Sequence, residues 1–129
     1  MTETILYIED NDQNYYLVQY ILTAKGYQVI RAADGREGIT LADTTRPDLI
    51  LLDIQLPGMD GYETARRLRQ IQAITDLPIV ALTSYAMPGD REKALSAGCN
   101  GYIEKPINPA TFISQIEAYL PTAKSREEQ

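Results

Sequence analysis

Two adjacent carboxylates at Glu9-Asp10, a third at Asp53, a hydroxyl at Thr83 and an ammonium at Lys105 are the groups with which this chain could do chemistry. Each one closes a short apolar run. Thr4 to Ile8 leads into Glu9-Asp10, Leu49 to Leu52 into Asp53, Pro78 to Leu82 into Thr83, and Gly101 to Glu104 into Lys105. Grouped carboxylates ligate hard cations, and a single carboxylate can act as a nucleophile. The sequence contains no histidine, which removes His-based nucleophile relays, histidine general bases and the commonest zinc sites. Taken alone, each residue has an ordinary alternative. Asp53 could end a strand and cap a turn, and Glu9-Asp10 could belong to a capping cluster in which Asp12 caps the first helix. Thr83 could be a turn hydroxyl and Lys105 a solvated surface lysine. What separates them from those readings is their shared position at four strand ends.

The run Leu49 to Leu52 shows no polar alternation, which is the pattern of a strand buried on both faces of a parallel sheet. Other strands are expected over residues 4–8, 27–31, 78–82 and 101–104. Between them, helical spacing is read from Asp12 to Lys25, with Val18, Ile21 and Leu22 inward and Gly26 as the stop. Further helices are expected from Gly35 to Asp43, from Asp60 to Gln72 after a turn at Leu56-Pro57-Gly58, and from Gly89 to Ala97. The last begins at Pro109 and runs through Phe112, Ile113, Ile116 and Leu120 until Pro121 closes it. Five strands alternating with five helices predict an α/β fold, a (βα)5 flavodoxin-like three-layer sandwich. Its parallel five-stranded sheet should have the order 2-1-3-4-5, with the switch point between strands one and three. Glu9, Asp10 and Asp53 then converge on one crevice, with Thr83 and Lys105 on the same rim. Like charges so close push a pKa upward, and a hard divalent cation resolves the conflict. Mg²⁺ suits such a site, with Mn²⁺ as a substitute, because it keeps several waters and accepts phosphate oxygens.

Composition narrows the reading. A chain of 129 residues is one domain by length, expected over residues 1–121 with a frayed polar tail over 122–129. A formal charge of -6 argues against nucleic acid as a direct partner. No apolar run approaches the ~20 residues needed to span a bilayer, and no signal-like segment precedes the first strand. The single Cys99 excludes an internal disulfide and fits a reducing cytoplasm, the expected location.

With these residues in view, the sequence resembles the receiver domain of two-component response regulators from Thr4 to Leu120. The matching residues are Glu9-Asp10, Asp53 in Asp-Ile-Gln-Leu-Pro-Gly-Met-Asp-Gly, Thr83 before Ser84, and Lys105-Pro106. The resemblance implies that Asp53 accepts a phosphoryl group from a phosphohistidine on a sensor histidine kinase or a histidine phosphotransfer protein. It also implies that Asp10, Asp53 and the backbone carbonyl of Gln55 ligate Mg²⁺, with Glu9 helping through a water. Thr83 and Lys105 would hold the phosphoryl oxygens, Tyr102 would be the aromatic switch, and Gln55 and Tyr85 would tune access of hydrolytic water. The bond between Lys105 and Pro106 is a candidate cis peptide. A downstream target would dock on the face made by the fourth helix, fifth strand and fifth helix. One departure is Glu9, where many members carry aspartate. Nothing basic or helix-turn-helix-like follows the last helix, so a stand-alone regulator of the chemotaxis or cell-cycle type is expected, with a receiver excised from a hybrid kinase or a larger regulator as the alternative; either would promote its own phosphorylation and dephosphorylation.

Two other protein classes fit these residues less well. An aspartate-nucleophile phosphatase of the haloacid dehalogenase type needs a second aspartate two residues after the nucleophile, where this chain has Gln55. A flavodoxin-like cofactor binder needs a Gly-rich phosphate loop after strand one, where Asn11-Asp12-Gln13-Asn14 stands instead.

Overall fold

The computed structural model describes residues 3–56, 58–84 and 88–120. The strands are β1 (Thr4–Ile8), β2 (Gln28–Ala32), β3 (Leu49–Asp53), β4 (Ile79–Thr83) and β5 (Gly101–Glu104). The helices are α1 (Asp12–Ala24), α2 (Gly35–Thr45), α3 (Gly61–Arg69), α4 (Asp90–Ala97) and α5 (Pro109–Glu117). All strand pairings are parallel and the order is β2-β1-β3-β4-β5, as the alternation of elements predicts.

Every residue of β3 and β4 is buried, because these strands carry helices on both faces. Alternate residues feed two separate cores. Leu6, Ile8, Ile50, Leu52, Ile79 and Ala81 face the layer of α2, α3 and α4. Ile5, Tyr7, Leu49, Leu51, Val80 and Leu82 face α1 and α5. Among the described residues no helix is long and apolar enough to cross a membrane.

Several boundaries differ from the sequence expectation. Asn11, not Asp12, caps α1, accepting from the Asn14 amide at 2.9 Å. Asn and Asp are equally good caps, so local preference could not choose between neighbours. Asp12 lies inside the first turn, where its carboxylate pairs with Arg31 at 2.8 Å. The expected third helix breaks into α3 and a separate 3-10 turn at Gln72–Ile74. Ile71 is extended there, so Leu68, Ile71 and Ile74 keep a helix-like spacing across a break. α5 stops at Glu117, although Leu120 is still buried. Tyr85, Pro121 and the tail lie outside the described residues, as does Pro57 of the turn before α3.

Candidate functional site at the carboxyl ends of the strands

β1 delivers Glu9 to the sheet rim, and its amide continues the ladder by bonding the Ala32 carbonyl at 2.9 Å. The side chain is wholly buried. Glu9 Oε1 accepts from the Tyr7 hydroxyl at 2.8 Å and from Lys105 Nζ at 3.0 Å, while Oε2 accepts from the Asn11 amide at 3.3 Å. Asp10, one residue on, is exposed. β3 delivers Asp53, also buried, whose Oδ1 accepts from the Gln55 amide at 2.9 Å and whose Oδ2 accepts from Lys105 Nζ at 3.3 Å. One carboxylate oxygen from each of Glu9, Asp10 and Asp53 falls within 4.8 Å of the others. The sequence placed these three in one crevice, and they are there.

The loop after Asp53 is shaped by glycine. The Gly61 amide bonds the Ile54 carbonyl at 3.0 Å, and a Cβ on Gly61 would collide with Ile54 Cα and come within 2.8 Å of the Asp53 carbonyl oxygen. Only glycine lets α3 start this close to the strand end. Asp60 caps α3 through the Glu63 amide at 2.8 Å.

Thr83 ends β4 in a buried position, and its carbonyl accepts from the Lys105 amide at 2.7 Å, which carries the β4–β5 ladder one step further. Lys105-Pro106 is cis. Tyr102 is half-buried on β5, where burial and the charges of Asp90 and Glu104 raise its phenol and the nearby Thr83 hydroxyl opposes the shift. Gln55 turns its side chain to solvent while its amide holds Asp53.

Burial pushes Asp53 up to about 7, helped by the hydrogen bond and negative charge of Glu9 and opposed by the Gln55 amide and Lys105. Burial is also the largest single influence on Glu9, but hydrogen bonds from Asp53, Lys105 and Tyr7 together hold its carboxyl below the usual range. Burial thus favours the protonated form of Asp53, while its hydrogen bonds hold Glu9 toward the ionised form. A crowded, all-oxygen donor set with one exposed member suits a hard dication, which would displace that proton.

Two contributors left no obvious mark in the sequence. Tyr7 touches Glu9 because residues two apart share a strand face, and that spacing was the available signal. Arg31 on β2 braces the acidic turn, with Nε on the Glu9 carbonyl at 3.2 Å and a terminal nitrogen on the Asp10 carbonyl at 3.3 Å. Its guanidinium carbon lies 4.7 Å from the centroid of the Tyr15 ring.

Comparison with known proteins places this geometry among relatives. Residues 5–117 match the response regulator receiver domain family. The polar-differentiation response regulator DivK of Brucella ovis is 41% identical over 123 residues, covering 95% of this chain and all of DivK. The chemotaxis protein CheY4 of Vibrio cholerae superposes with a TM-score of 0.88 at 30% identity, covering 93% of this chain and 100% of that one. The receiver domain of a sensor histidine kinase from Pseudomonas aeruginosa PAO1 has a TM-score of 0.85 at 37% identity, covering 92% of this chain and 98% of its own. It was solved with a magnesium ion coordinated in its active-site cleft.

Proposed function

The chain belongs to the response regulator receiver family, and from that premise we propose that Asp53 is its phosphoacceptor, charged by a phosphohistidine donor and read out at a protein-binding face. As a receiver it takes up a phosphoryl group and turns over no independent substrate. The observation that carries the choice of Asp53 is its burial between an ammonium 3.3 Å away and two further carboxylates. No other aspartate has that setting among the described residues.

A carboxylate oxygen of Asp53 bonds to phosphorus while the phosphorus–nitrogen bond to the donor imidazole breaks, and the leaving nitrogen keeps the bonding pair. Phosphoryl transfer asks the protein for position and positive charge rather than covalent help. Lys105 supplies one charge, already between Glu9 and Asp53. Asp10, Asp53 and the Gln55 carbonyl would hold Mg²⁺, with Glu9 acting through a water. When bound, the ion supplies positive charge to the phosphoryl oxygens. Attack needs the ionised carboxylate of Asp53, a form that Lys105 favours and a bound cation would favour further.

Readout runs through Thr83. A phosphoryl oxygen on Asp53 would offer the Thr83 hydroxyl a charge-assisted acceptor and draw its one proton inward. That movement would be felt next at Tyr102 and the surface of α4, β5 and α5, where a cleft is lined by Arg91, Tyr102, Glu104, Asn108 and Gln115. We assign the downstream target to this face and the donor, a sensor kinase or a phosphotransfer protein, to the Asp53 crevice. Treatment with acetyl phosphate and Mg²⁺ should add one phosphate by intact-mass measurement, and Asp53→Asn should add none. Label on the Asp53→Asn protein at an acid-labile site overturns the assignment.

A further inference from the structure

The first acid of the pair is a glutamate, so its carboxylate hangs on one more methylene and one more torsion than an aspartate would give it. Unless something fixes that extra torsion, the carboxylate gives up part of its ligand value to side-chain entropy. The structure contains such a fixture. Tyr7 has no exposed surface, and its ring stacks on Tyr15 with centroids 5.8 Å apart and planes 24° apart. Arg31 covers the Tyr15 ring and also bonds the Glu9 and Asp10 carbonyls. The phenol therefore cannot drift, and its hydroxyl spends its proton on Glu9 Oε1 at 2.8 Å.

Resting on the reading of Glu9 as part of a cation site, we propose that Tyr7 is a positioning residue matched to Glu9, holding the longer acid where the cation needs it. The other donor to Oε1, Lys105 Nζ, is shared with Asp53 Oδ2 and is the group that a phosphoryl on Asp53 would claim. Tyr7 has no second partner among its hydrogen bonds here, so it keeps Glu9 in place while Lys105 is engaged elsewhere. Partners that hold metal ligands from behind are worth about 10–100-fold in affinity.

The test is a calorimetric Mg²⁺ titration of four proteins: the natural chain, Tyr7→Phe, Glu9→Asp and the double variant. Tyr7→Phe keeps the ring and its stacking, so the fold is retained. It should weaken Mg²⁺ binding about tenfold in the natural background. With Glu9→Asp the arm no longer reaches the phenol, and the same change should then cost less than about twofold, the scatter expected of uncoupled sites. With acetyl phosphate as donor, Tyr7→Phe should raise the half-saturating Mg²⁺ concentration far more than it lowers the rate at saturating Mg²⁺. An unchanged affinity on Tyr7→Phe, or an equal loss in both backgrounds, overturns the matched pair while leaving the cation site standing. Absence of Mg²⁺ binding by the natural chain overturns the site reading and the inference together.

Discussion

Lys105 and Arg69 sit at opposite ends of the same sheet, and each gathers several oxygens around one positive charge. Lys105, at the carboxyl ends, faces two buried carboxylates. Arg69, at the amino ends, bonds the carbonyls of Gly98 at 2.7 Å, Ile74 at 3.2 Å, Thr75 at 3.1 Å and Leu77 at 2.7 Å. Its remaining contact is Asn100 Oδ1 at 2.6 Å, an oxygen that also accepts the Ile79 amide at 2.9 Å. The partners of Arg69 are neutral carbonyl and amide oxygens, which neither titrate nor act as nucleophiles. Those of Lys105 are carboxylates, which can do both. One cation closes loops permanently, while the other has partners whose charge can change, and that difference separates a structural end from a working end.

Removing each cation should expose the contrast. Lys105→Ala should slow phosphorylation of Asp53 by acetyl phosphate about 10²–10³-fold, the usual loss when a charge aimed at the reacting group is deleted. Mass spectrometry on a time course measures it, and a loss under about tenfold would mean Lys105 is not used in the transfer. Arg69→Met should leave the rate per folded molecule unchanged. It should instead cost about 2–3 kcal/mol in a urea titration, because several part-buried carbonyls lose their donor at once.

Acidity distinguishes the two ends next. Asp53 is raised from 3.8 to about 7 on folding, so the folded chain binds this proton more tightly than the unfolded one. Stability from this group is therefore full below about pH 4, declines as pH rises to about 7 and is flat above it, with a limiting slope of about 1.4 kcal/mol per pH unit. Mg²⁺ favours the ionised form, so its increment to the melting temperature should be larger at pH 8 than at pH 5 in scanning fluorimetry. Arg69→Met should preserve that difference and Asp53→Asn should erase it. The smallest effect belongs to Asp12. It is exposed and pairs with Arg31 rather than joining the crevice, so Asp12→Ala should shift Mg²⁺ affinity by less than about twofold. Asp10→Ala should reduce it far more, and equal losses by calorimetry would reassign the ligand.

The contrast also marks what a sequence can disclose. β3 and its carboxylate were legible because an unbroken apolar run has one comfortable place, the middle of a parallel sheet. Strand order followed from crossover rules, and with it the meeting of Glu9, Asp10 and Asp53. Arg69 was illegible for a physical reason: it binds main-chain carbonyls, which every residue carries, so no partner residue type announces it. Arg31 hid in the same way. The Asn11 cap was missed because Asn and Asp satisfy a helix start equally well. The end of α3 was missed because Ile71 and Ile74 continue the apolar spacing past the last helical hydrogen bond. Tyr7 was half-visible, since its alternation with Glu9 was readable while the buried phenol–carboxylate contact was not.

Gly61 has a consequence for anyone who would build with this site. Its missing side chain is the clearance that lets the helix start graze the backbone beneath Asp53. The smallest transplantable part is therefore not an aspartate at the end of a strand but the whole stretch 53–61, spaced so that a glycine arrives back at the carbonyl it must pass. A designer who copied the carboxylate and its lysine onto another sheet, and left an alanine at that return point, would import the reagents without the room in which they meet.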